Sequence, residues 1–339
     1  MNRVLIPLTM AQPPSIPPSA TIDSLAGNSM GTTWSVKLVR PDHLALEQLH
    51  AGIQQRLDSV VEQMSTWLDS STLSRFNRAE AGSWHALPPE FFKVLDYALY
   101  IAQQSNGAYD PGVGPLVNLW GFGPGGRHDQ APAAAAIDHA RAARGWREVK
   151  LDRLEQRALQ PGGVYIDLSS IAKGFGVDHV AQYLQEQGVQ SYLVEVGGEL
   201  RGYGCKPDND PWWVELEQPL PLSSAATHDG SPQKNLIALH EMSVATSGDY
   251  RRFFEHKGRR YSHTIDPRTG YPVEHALASV TVLHTSCMIA DGLSTALTVL
   301  GVQEGMDYAR SQNIAAYFVS RTAQGFEECM SPAFEAMLD

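Results

Sequence analysis

Two residues four apart, Asp291 and Thr295 in the run C-M-I-A-D-G-L-S-T-A-L-T-V-L-G, offer a carboxylate and a hydroxyl. On a helix they lie on one face about a turn apart. Both are hard oxygen donors, suited to Mg²⁺ or Ca²⁺ rather than to a soft metal. The commoner reading of such a pair is a solvated face, or a side chain bonding back to its own backbone. Two features favour a site instead. Ile289, Leu293, Ala296, Leu297 and Leu300 form an apolar stripe behind a capping Ser286, and a carboxylate on such a helix is costly without a partner. Just upstream, R-Y-S-H-T-I-D-P-R-T-G places His263 before a tight turn in which Pro267 fixes φ and Gly270 closes the chain. The turn itself needs no histidine.

Three other stretches carry chemistry-bearing residues. In V-Y-I-D-L-S-S-I-A-K-G-F-G-V-D, a short β-rich run ends at Asp167, Ser169 or Ser170 caps, and a helix runs on to Gly188. Free N–H groups at such a junction suit a phosphate. The order is neither that of a P-loop nor of a dinucleotide-binding G-x-G-x-x-G turn, and Lys173 there is either a phosphate contact or a surface lysine. Around Asp110, G-A-Y-D-P-G-V-G-P-L reads equally as a ligand rim or a rigid connector. At Gly197-Gly198-Glu199 the paired glycines let a backbone or a flat ring approach beside a carboxylate.

The elements that must position these groups alternate without the rhythm of a doubly wound sheet, so the expected class is α+β. Leu46, Leu49, Ile53, Leu57, Val60 and Met64 keep helical spacing; Phe92, Leu95, Leu99 and Ala102 mark a second helix. Strands are expected at Trp34–Val39, Val164–Asp167, Tyr192–Val196, Trp213–Glu217, Asn235–His240, Ser243–Thr246, Ser279–Leu283 and Ala315–Val319, with a last helix from Gln303 to Gln312 and a mobile loop from Pro219 to Lys234. With 339 residues, 43% of them hydrophobic, the chain can bury a large core. A net charge of −11 argues against a general nucleic-acid binder. Cys205, Cys287 and Cys329 show no C-x-x-C spacing, so neither a zinc site nor a disulfide framework is indicated. Val4-Leu5-Ile6-Pro7-Leu8 is too short and proline-broken for a signal core, and four prolines follow between Pro13 and Pro18. Residues 1–25 therefore read as a leader remnant or flexible linker, without a cysteine for a lipid anchor, and 26–339 as the folded unit.

Seven segments in order carry a resemblance: S-M-G-T-T-W at 29–34, Y-D-P-G-V-G-P-L-V-N-L-W-G-F-G at 109–123, D-L-S-S-I-A-K-G at 167–174, V-G-G-E at 196–199, A-T-S-G-D-Y at 245–250, S-H-T-I-D-P-R-T-G at 262–270 and A-D-G-L-S-T-A-L at 290–297. Together they resemble the ApbE family of flavin transferases, the FAD:protein FMN transferases. The resemblance implies an ApbE-like fold of mixed β-sheets with surrounding helices and a FAD cleft. It assigns FAD contacts to Met30, Trp67, Ala108, Tyr109, Asp110, Ser169, Phe175 and Ile265, and Mg²⁺ to the side chains of Asp291 and Thr295 and the carbonyl of Ala172. Trp67 stands where many members have Tyr, which keeps ring stacking and removes a phenol hydroxyl.

The implied reaction is Mg²⁺-dependent transfer of the FMN half of FAD onto a Thr or Ser hydroxyl of an acceptor flavoprotein, a redox-complex subunit, with release of AMP. His263 is the candidate base; the alternative is that it orients the loop or bonds a phosphate. Two other activities fit the same residues: a FAD pyrophosphatase giving FMN and AMP, and a non-catalytic FAD carrier. The family also implies a periplasmic or cell-envelope location.

Overall fold

Eight strands form one antiparallel sheet in which order in space equals order in the chain. They are β1 (Ile22–Ser29), β2 (Thr32–Val39), β3 (Tyr192–Val196), β4 (Glu199–Tyr203), β5 (Met242–Gly248), β6 (Leu277–His284), β7 (Ala315–Thr322) and β8 (Gly325–Met330). The computed structural model describes residues 3–8, 11–128, 130–142, 145–217, 234–249 and 252–339. The expected mobile loop after Pro219 lies outside them, apart from Lys234.

Two of the connections are two-residue turns with both residues at positive φ, Met30-Gly31 and Gly197-Gly198. That geometry matches the twist of adjacent strands, which is why glycine recurs there. The glycine pair before Glu199 forms a hairpin tip.

Long connections carry four long helices. Between β2 and β3 come α1 (Leu46–Met64), α2 (Pro89–Gln104) and α3 (Ala172–Glu186); α4 (Cys287–Ser311) joins β6 to β7. The apolar spacing of α1 puts Leu49, Ile53, Leu57, Val60 and Met64 in the core. The separate helix expected from Gln303 is present: Gly301, at φ 75°, leaves helical geometry, so α4 is two helices meeting at a kink.

β6 and the middle of β7 are buried on both faces and read as apolar runs. Val280, Val282, Ala316 and Phe318 face the helices, whereas Leu283, Tyr317 and Val319 face a back layer containing Trp212, Ile237 and Phe334. That back layer corrects the expectation of a flexible segment over residues 1–25. Arg3–Leu5 pairs in parallel with Asn235–Leu239, itself antiparallel to Trp212–Glu215, and Leu5 is fully buried. Ile22–Leu25 already belongs to β1. A three-residue strand is too short to show a period, and Pro7 stands just beyond it, where pairing stops.

The expected strand at Val164–Asp167 is also corrected. Among the described residues the segment pairs with no strand; the side-chain amide of Asn77 takes the Ile166 N–H and donates to the Ile166 carbonyl, both at 2.8 Å, and the Asp167 N–H donates to the Pro111 carbonyl at 2.7 Å. A side chain and one loop carbonyl here stand in for a neighbouring strand.

Candidate active site

The site is organised by the crossing of α3 over α4. A Cβ at Gly174 would overlap the Cys287 carbonyl oxygen and lie 2.7 Å from Asp291 Cβ, so only glycine allows the helices this close. At that distance the Gly174 N–H donates to Asp291 Oδ2 at 2.9 Å. Asp178, one turn further along α3, fixes the start of α4. Its carboxylate accepts the Ser286 hydroxyl at 2.7 Å and the Cys287 and Met288 N–H groups at 3.0 Å, and pairs with Arg201. These bonds satisfy donors that a helix start leaves open.

The start of α3 differs from expectation. Neither Ser169 nor Ser170 caps it; the preceding residue is Ile171, with no side-chain bond. Asp167 instead accepts the Ser169 N–H at 2.8 Å, and the Ser170 hydroxyl donates to the Tyr109 hydroxyl at 3.2 Å. This turn ties the Asp167 segment to the Asp110 loop.

Beside the crossing opens a cavity of about 1090 Å³, counting the part open to solvent. Asp291 and Thr295 line it together with His263 and Ile265, which arrive from the turn before β6. Ala108, Tyr109, Asp110 and Ser169 form another wall, and Trp67, 60% exposed, stands at the mouth. Three expected contacts lie outside the lining. Met30 packs at its hairpin tip against Gly176, Phe175 is buried and stacks on His179, and Ala172 is the buried first residue of α3.

Thr246, Ser247 and Arg252 also line the cavity; the first two fall in the A-T-S-G-D-Y segment of the resemblance and Arg252 in none of its segments. Ser247 Oγ lies 2.8 Å from Ser294 Oγ and 3.3 Å from Thr295 Oγ1. The only signal is the pair of small hydroxyl residues in A-T-S-G-D-Y; their role depends on β5 running beside α4.

Burial shapes the chemistry of the wall. It pushes the Asp110 carboxyl up to about 6, against the lowering effect of the Gly112 and Trp146 N–H groups, which donate to Oδ1 at 2.7 and 3.1 Å. It also raises the Tyr109 hydroxyl well above the usual phenol range. His263 Nδ1 lies 3.1 Å from the Arg252 carbonyl oxygen. A carbonyl only accepts, so Nδ1 carries the hydrogen and Nε2 has the lone pair of the neutral ring.

Among the described residues, the carboxylates of Asp110, Asp167, Glu199 and Asp291 line the cavity with Lys173 and Arg252, and Lys173 donates to Glu199 at 2.5 Å. A cation between such carboxylates and an anionic ligand lowers their repulsion. Among the described residues no three His, Cys, Asp or Glu side chains converge on a metal position. The Asp291 carboxylate and the Thr295 hydroxyl face the cavity, and Ala172, whose carbonyl the resemblance adds, is the buried first residue of α3 outside the lining. That all-oxygen set fits Mg²⁺, which is usually held by one or two carboxylates with phosphate and water completing its shell.

A family model described as the ApbE family matches residues 30–318. The chain is 40% identical over 322 residues to the FAD:protein FMN transferase of Haemophilus influenzae, covering 93% of this chain and 91% of that one. It is 40% identical over 315 residues to that of Vibrio cholerae, covering 93% and 92%. Among solved structures, the apo flavinyl transferase ApbE of Pseudomonas stutzeri superposes with a TM-score of 0.85 at 41% identity, covering 94% of this chain and 97% of that one. The flavin transferase ApbE of Vibrio cholerae does so with a TM-score of 0.85 at 39% identity, covering 94% and 99%.

Proposed function

This chain belongs to the ApbE family, and from that we propose that it transfers the FMN half of FAD, with Mg²⁺, onto a Thr or Ser hydroxyl of an acceptor protein, releasing AMP. The observation that carries the reading is the meeting of Asp291 and Thr295 from α4 with His263 from the turn before β6, in one cavity with Trp67 at its mouth.

Asp291, Thr295 and the Ala172 carbonyl are the groups that would hold Mg²⁺, which when bound neutralises charge on the diphosphate and on the departing AMP. Trp67 offers an exposed ring for stacking on a flavin or adenine. Val113, Val117, Phe122 and Val299 line the same cavity and keep water from the reacting groups. His263 takes the proton of the acceptor hydroxyl at Nε2, while Nδ1–H on the Arg252 carbonyl fixes the ring's orientation. The acceptor is a redox-complex subunit and the setting the periplasm or cell envelope; among the described residues no helix is long and apolar enough to cross a membrane.

The test is to incubate the protein with FAD, Mg²⁺ and an acceptor flavoprotein subunit and to weigh the acceptor by mass spectrometry. Transfer adds the mass of the FMN group and releases AMP in equal amount. AMP release with an unmodified acceptor would make the protein a pyrophosphatase, and FAD recovered intact would make it a carrier.

A further inference from the structure

The hairpin formed by Phe253–His256 and Arg259–Ser262 stands at the cavity's edge, for Arg252 before it and His263 after it both line the cavity. Its base is closed by the His263 N–H, which donates to the Arg252 carbonyl at 3.1 Å. Its tip is the two-residue turn Lys257-Gly258, with φ of 50° and 75°. One side is anchored: Phe254, 5% exposed, stacks on Tyr261 at 5.1 Å, and both rings lie against Trp120. This is a stiff arm rather than a loose loop.

Its charge is opposite to that of the rest of the protein. Arg252, Lys257, Arg259 and Arg260 are all exposed, and Glu255 is the only carboxylate within residues 252–263, in a chain whose net charge is −11. The Arg260 guanidinium lies 3.7 Å from the Phe253 ring centroid and donates to the Asp249 carbonyl, and Arg259 pairs with Glu274. The heads of Arg259 and Arg260 are therefore held in place, with the charge of Arg259 already matched by Glu274. Elsewhere the net negative field repels an acidic partner, so a local basic arm beside the reaction cavity both attracts and orients one.

We propose that this hairpin docks an acidic segment of the acceptor protein lying beside the hydroxyl that receives FMN. The proposal rests on the transferase reading, and its test separates the two. Two fluorescein-labelled peptides of equal length, each with a central Thr, are compared by anisotropy; one is flanked by Asp and Glu, the other by Ser and Gln. Wild type is expected to bind the acidic peptide about tenfold more tightly at low salt, with the preference shrinking as salt rises. Lys257→Glu with Arg260→Glu abolishes the preference, and the milder Lys257→Gln, at the exposed tip, reduces it without altering thermal unfolding. Equal binding of the two peptides, or a preference that survives the double charge reversal, overturns the proposal. So does binding of phosphatidylglycerol vesicles through the same residues with no preference between peptides. The mass-spectrometric transfer assay is independent: FMN transfer with equal peptide binding sinks only the docking, and acidic-peptide preference with no transfer to any acceptor sinks the transferase reading.

Discussion

The N–H of Gly174 donates to the carboxylate of Asp291 at 2.9 Å, across a helix crossing that a single methyl group would obstruct. The bond fixes one oxygen of Asp291 and, with it, the position of the wall that also carries Thr295. Gly174→Ala is therefore expected to do two things. It destabilises the protein by about 1–3 kcal/mol, the usual range for overpacking a tight contact, and it weakens Mg²⁺-dependent FAD binding by displacing Asp291. Urea unfolding and calorimetric titration of FAD with and without Mg²⁺ check both; an unchanged protein on either count contradicts this role for the crossing.

His263 enters the cavity from a different part of the chain, so its contribution separates from that of α4. His263→Ala is expected to leave FAD binding near wild type and to slow FMN transfer by about a hundredfold or more, the scale of a lost acid or base. Single-turnover transfer, followed by the mass of the acceptor, reads the rate directly. Unchanged turnover would confine His263 to orienting its loop.

Asp291 is the sole carboxylate of the proposed donor set, and among the described residues the cavity lining holds more carboxylates than Lys and Arg side chains. Asp291→Ala should abolish the Mg²⁺ dependence of both FAD binding and transfer, and chelation of Mg²⁺ should bring wild type to the same level. Removing a carboxylate also relieves repulsion of the diphosphate, so metal-independent FAD binding should not fall. Full Mg²⁺-dependent activity in the variant would discredit the metal assignment.

How much of this is legible in the sequence depends on the range of the interaction involved. The stripe of α1, the D-P-R-T-G turn and the i,i+4 spacing of Asp291 and Thr295 are local patterns, and each appears in the structure as an element of the expected kind. The start of α3 departs from its sequence pattern because its first turn is held by Asp167 and the Tyr109 loop rather than by a serine cap. The segment before it reads as a strand, yet its partners are the Asn77 side chain and the Pro111 carbonyl, both many residues away. Ser247 shows only as one of two small hydroxyl residues in A-T-S-G-D-Y, and Arg252 gives no local signal. The first strand escapes because a three-residue strand has no period, and its place under the back face depends on Trp212 and Ile237 far along the chain.

Asp110 gives a pH-dependent prediction with a definite sign. Burial raises its carboxyl from an ordinary 3.8 to about 6, so between those values the folded chain keeps a proton that the unfolded chain has lost. Stability from this group therefore falls as pH rises through that window, and above about 6 the whole penalty of a buried charge is in force. Asp110→Asn keeps an oxygen for the Gly112 and Trp146 N–H groups and has no charge to bury. At pH 7 the variant should be more stable than wild type by up to about 3 kcal/mol, since each tenfold change in proton affinity is worth about 1.4 kcal/mol. The difference should fade as pH is lowered from about 6 to about 3.8, below which the wild-type carboxyl is protonated in both states. Paired urea unfolding of the two proteins at each pH makes the test, since all other titrating groups cancel. A stability difference of the same size at both ends of the window would show that the carboxylate is solvated in the folded protein and that the Asp110 loop is not a dry wall of the cavity.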